Sequence, residues 1–81
     1  MKYIIAKRDK VYAEGIKPAA KAQLNGYMVL NENELKYTYP QLQLEESASR
    51  VDGVIVDRLT AIEFINGTKD IADIKTELDN E

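Results

Sequence analysis

Apolar residues along this chain fall in short clusters cut apart by turn residues, and their period changes from one cluster to the next. Tyr3-Ile4-Ile5-Ala6 is a continuous run with β-branched members and reads as a strand. Lys7 to Glu14 reads as a short helix closed by Gly15, where a left-handed residue is wanted just past the last turn. Val11 and Ile16 then occupy the two positions that make the apolar contact of a Schellman motif. Pro18 to Leu24 reads either as a short helix opened by proline or as a packed loop.

The segment 27–39 alternates. Pairing Tyr27 to Leu30 with Leu35 to Tyr39 around Asn31-Glu32-Asn33-Glu34 predicts a β-hairpin with Leu30 opposite Leu35. One face carries Met28, Leu30, Leu35, Tyr37 and Tyr39 and is the expected core face. Tyr27, Val29, Lys36 and Thr38 form the outer face. Pro40 cannot continue a paired ladder and ends the second strand.

Helical spacing returns at Leu42 to Asp52, where Leu44, Ala48 and Val51 recur at i, i+4 and i+7. Glu45 and Glu46 stand in its first turn, where the helix dipole favours negative charge, and Gly53 ends it. Val54-Ile55-Val56 suits a strand buried on both faces. Next, Thr60-Ala61-Ile62-Glu63 matches a capping box, with Leu59 and Phe64 placed as its hydrophobic staple. That short helix ends at Asn66-Gly67. In the tail, 68–81, Ile71, Ile74 and Leu78 form a narrow helical stripe, while Asp73 and Glu77 repel at i, i+4. A segment this short is marginal as an isolated helix, so the stripe either docks on the domain or a partner, or the tail frays.

These elements predict an α+β fold in the order β-α-β-β-α-β-α. Residues 1–67 form the single domain, followed by an amphipathic C-terminal helix or frayed tail at 68–81. The first six elements follow the order of a split β-α-β, ferredoxin-like unit.

Composition changes the picture mainly by subtraction. The 81 residues contain no histidine and no cysteine. Histidine is the usual general base near neutral pH and a common metal ligand, and thiolates supply soft ligands, nucleophiles and disulfides. Catalytic triads of the Ser-His-Asp or Cys-His kind, zinc fingers and redox pairs are therefore outside this chain's means. A domain this small must be held by side-chain packing, with stability on the order of 0.05–0.15 kcal/mol per residue. Charge is uneven: seven Lys/Arg and four Asp/Glu in residues 1–40, four and ten in residues 41–81, for a net of −3. The N-terminal apolar run is too short for a signal peptide, and none approaches a membrane span. A cytoplasmic protein without membrane contact is expected. Asn66-Gly67-Thr68 fits a glycosylation sequon but reads more simply as a helix end.

Candidate chemistry is thin. Glu32 and Glu34 lie in the predicted turn without calcium-loop spacing. Asp57 and Glu63 bracket the capping box, and Ser47 and Ser49 sit on an acidic helix. The glycines are scattered singly, with no phosphate-binding loop. No catalytic residue, cofactor or metal ligand is assigned, and the chain is read as non-enzymatic. Two surfaces remain. Tyr27 and Val29 on the outer hairpin face, with Ile71, Ile74 and Leu78 on the tail stripe, suggest a protein interface, with a copy of itself or another chain as partner. Lys7, Arg8, Lys10, Lys17 and Lys21 form a basic N-terminal segment that could meet phosphates. Against that stands the acidic balance and the lack of the aromatic strand signature of RNA-binding domains. The leading expectation is a protein-protein interaction or accessory structural module, and nucleic-acid binding is the alternative. Size and composition have the look of a small bacterial or phage reading frame. An accessory role in a phage or mobile element is therefore a third expectation.

Overall fold

The computed structural model describes residues 1–17 and 23–79, with side chains up to residue 75. Its elements are β1 (Tyr3–Lys7), α1 (Arg8–Ala13), β2 (Gln23–Leu24), β3 (Tyr27–Asn31), α2 (Glu32–Thr38), α3 (Leu44–Arg50), β4 (Val54–Val56), α4 (Arg58–Ile65) and α5 (Ile71–Asp79). The strands form one sheet in the order β2-β3-β1-β4. Each neighbouring pair is antiparallel, with Ile5 opposite both Val29 and Val54. So β1 and β2 run parallel with β3 between them, and β3 and β4 run parallel with β1 between them. This is the split arrangement anticipated from the element order, in an α+β domain.

Alternation along each strand divides the core into two layers. Ile4, Ala6, Met28 and Leu30 point to one face and pack with Val11 and Ile16 from the α1 end, Leu35 from α2, and Ala48 and Val51 from the α3 region. Ile5 and Val56 point to the other face and pack with Ala61 and Phe64 of α4 and Ile74 of α5. Because β1 is central and covered on both sides, Ile4, Ile5 and Ala6 have no exposure. The apolar run at β4 has the same cause even though β4 is an edge strand. Ile55 packs with the first layer, and Val54 and Val56 with the second.

The Schellman motif at the end of α1 forms as expected. Ile16 N–H donates to the Val11 carbonyl at 3.2 Å, Gly15 N–H to the Tyr12 carbonyl at 3.1 Å, and Gly15 takes φ +76°. The helix expected around Leu44, Ala48 and Val51 is also in place, but its end differs. Asp52 takes the left-handed conformation at φ +50°, and Gly53 N–H donates to the Ala48 carbonyl at 2.8 Å. Glycine is required at 53 for space: a Cβ there would collide with Ile4 Cγ2 and lie 3.2 Å from the Ala48 oxygen.

Three expectations are corrected. The hairpin is not at 27–39. It joins β2 to β3 through Asn25-Gly26, both with positive φ (+54° and +83°), as a tight two-residue turn demands. Leu35 to Tyr39, read as its second strand, lies in and just beyond α2. The Asn31 side chain accepts from Glu34 N–H at 2.9 Å and caps that helix, with Glu32 and Glu34 in its first turn. Leu35 is buried and Tyr39 packs partly against the same layer, one helical turn apart, whereas Tyr37 between them is 91% exposed. The third correction concerns α4. Asp57, not Thr60, caps it, its carboxylate accepting from Thr60 N–H at 2.8 Å. Of the segment read as a helix or loop over 18–24, Gln23 and Leu24 form β2, and residues 18–22 lie outside those described.

Candidate protein-interaction surface

Most residues expected at an interface are occupied inside the chain. Tyr27 and Val29 do lie on the face opposite Met28 and Leu30, but α4 and α5 cover that face. The Tyr27 ring meets Phe64 edge-on at 6.2 Å between centroids, an aromatic contact within the core. Val29 and Ile71 pack partly buried against the second layer, and Ile74 is buried in it. As a protein-binding stripe, Ile71 and Ile74 are therefore spent on docking α5 to the domain. Leu78 lies within α5, at a position whose side chain is outside those described.

The shifted start of α4 opens a different surface. With Asp57 as cap, Leu59 moves from a staple position before the helix to its second residue, and its side chain is 66% exposed. Ile62, one turn on, is 45% exposed. Beside Ile62 a groove of about 360 Å³ runs between α4 and the sheet, lined by Tyr3, Val29, Arg58, Ala61, Ile62, Ile65 and Asn66. Its floor is apolar, and Arg58 is the one charged residue lining it. Other charges on and around α4 are mostly paired. Hydrogen bonds from Thr60, its backbone N–H first, hold the Asp57 carboxyl below the ordinary carboxylate range, and the nearby Lys2 and Lys69 ammonium groups add to the effect. Lys69 Nζ lies 3.6 Å from Glu63 Oε2. Sequence reasoning missed Arg58, Leu59 and Ile62 because it placed the cap at Thr60. Aspartate ranks above threonine as a cap, so Asp57 was the available signal.

A second cleft, of about 400 Å³, lies between the α1 end and α2, lined in part by Ile16, Lys17, Asn31, Glu34 and Tyr37. Burial raises the Glu34 carboxyl above its ordinary value, and its Oε2 is buried with no hydrogen-bond partner among the described residues. Ser47 is buried, and its hydroxyl donates to the Gln43 carbonyl at 3.1 Å. Ser49 lines a shallow depression with Glu45 and Asp52.

Of the basic residues, Lys7, Arg8 and Lys10 are exposed around the β1–α1 junction, where Arg8 Nε lies 3.8 Å from Asp9 Oδ1. Lys17 stands apart in the Glu34 cleft, and Lys21 lies outside the described residues. Tyr12 is exposed on α1. Among the described residues no cluster of three or more Asp and Glu is arranged to hold a metal ion, and no helix is long and apolar enough to cross a membrane. No family model, curated protein or solved structure matches the chain.

Proposed function

We propose that this protein acts as a protein-binding module through the outward side of α4. The observation that carries the reading is the pair Leu59 and Ile62, exposed one turn apart beside an apolar groove. Scattered exposed apolar residues are ordinary on any protein, but an apolar patch contiguous with a groove marks interaction sites. Among the described residues neither side chain belongs to the two apolar layers of the core. The acid and nucleophile candidates offer little competition: Ser47 is buried and engaged, and Glu34 is the one carboxylate among the residues lining its cleft.

The test is capture of partners from the native cell by the full chain and by Leu59→Glu and Ile62→Glu variants, with cross-linking from position 66, which lines the same groove. Surface changes of this kind move stability by about 0.5 kcal/mol or less, so thermal melts should stay close to wild type. Cross-linked partners should disappear in both variants. An unchanged set of partners overturns the proposal, and retention of nucleic acid that depends on Lys7, Arg8 and Lys10 would put the basic segment in its place.

A further inference from the structure

We propose that the α4 groove receives an acidic amphipathic segment of another protein, which seats an apolar side chain between Val29, Ile62 and Ile65 and sets a carboxylate against Arg58. The proposal rests on the protein-binding reading above and adds the partner's chemistry to it.

The apolar half of the requirement follows from the groove floor, where Val29, Ala61, Ile62 and Ile65 offer no hydrogen-bonding side chain. At about 360 Å³ the space suits a side chain or two, not a large ligand. Leu59 extends the apolar surface along the helix by one turn, which matches the spacing of the apolar stripe on a second helix.

The acidic half follows from Arg58. Arg58 lines the groove and has no ion-pair partner among the described residues. The neighbouring carboxylates are already engaged. Asp57 accepts from Thr60 N–H, Glu63 lies against Lys69, and Glu32 accepts from Lys2 N–H at 3.2 Å. A guanidinium takes a carboxylate bidentately, which fixes orientation as well as adding attraction. The net charge of −3 does not oppose this. At physiological ionic strength charges fade over about 8 Å, so the local cation decides. A second copy joined groove to groove fits less well, because an isologous contact pairs the same lining with itself and that lining supplies no carboxylate to meet Arg58.

The experiment follows backbone amide shifts of the full chain by NMR during titration with two synthetic amphipathic helices. Both carry one leucine stripe, flanked in one peptide by glutamate and in the other by lysine. The glutamate peptide should shift the amides of Arg58 to Asn66, Tyr3 and Val29, and bind about tenfold more tightly than the lysine peptide, as a charge-assisted contact implies. Arg58→Gln should erase that preference, and Ile62→Glu should abolish the shifts. Equal binding of both peptides, absence of shifts at these amides, or concentration-dependent self-association through them each overturns the acidic-partner proposal. If cellular capture still depends on Leu59 and Ile62 when the peptides are not distinguished, only the partner's chemistry falls. If capture is indifferent to both residues, the binding reading falls with it.

Discussion

Single residues in this chain hold positions that few others could. Gly53 does so for lack of a side chain, since its neighbour Ile4 is fully buried beneath the end of α3. Gly53→Ala should therefore destabilise by about 1–3 kcal/mol, the usual cost of overpacking, read as a lower midpoint in denaturant. An unchanged midpoint would mean that β4 can shift freely. Glu34 makes a pH-dependent contribution. Burial raises its carboxyl above the ordinary value of 4.5, so the folded state holds that proton more tightly than the unfolded chain. The resulting stabilisation is complete below the unfolded value and is lost as pH rises through the folded one. In Glu34→Gln that dependence should vanish. Relative to wild type, the variant's melting temperature should be higher at pH 7 than at pH 4, and a difference independent of pH would refute the assignment. Local signals at this scale were partly legible in the sequence. The Gly15 motif was readable because glycine, Val11 and Ile16 all point to one geometry. The α4 cap was misplaced because Asp57-x-x-Thr60 and Thr60-x-x-Glu63 overlap and only one can start the helix, and the stronger capping residue, Asp57, decides.

At the level of elements, the instructive case is α2. Leu35, Tyr37 and Tyr39 alternate as a strand would, yet Leu35 and Tyr39 also stand one helical turn apart. Period alone cannot separate the two readings over so short a segment. What decides is the cap: Asn31 followed by acidic residues satisfies the first backbone N–H groups and complements the helix dipole. The hairpin expected there sits one step earlier, at Asn25-Gly26, the dipeptide that most strongly favours a two-residue turn. In the tail, α5 docks through Ile74, which is 1% exposed. Ile74→Ala should cost about 2–5 kcal/mol, a large part of what a domain this size possesses, and would show as a broad, early thermal transition. A wild-type melt would mean that the second layer holds without α5.

For the whole molecule, the α+β class was legible from the succession of elements, but the strand order and the coverage of the sheet were not. The face carrying Tyr27 and Val29 read equally well as an interface or as a surface covered by the tail, because a short tail stripe gives no sign of which surface it will meet. Once α4 and α5 cover it, the candidate interface moves outward to the helix itself. The same topology also orders events in time. In this domain β1 is made early but lies at the sheet's centre, hydrogen-bonded on one side to β4 at residues 54–56. At a synthesis rate of about 5–20 residues per second, several seconds separate the two strands. Until β4 pairs with it, the edge of β1 at Tyr3, Ile4 and Ile5 lacks its second neighbour. A chain cut short before Val54 would thus leave that edge of β1 unpaired, a row of backbone groups ready to template another strand.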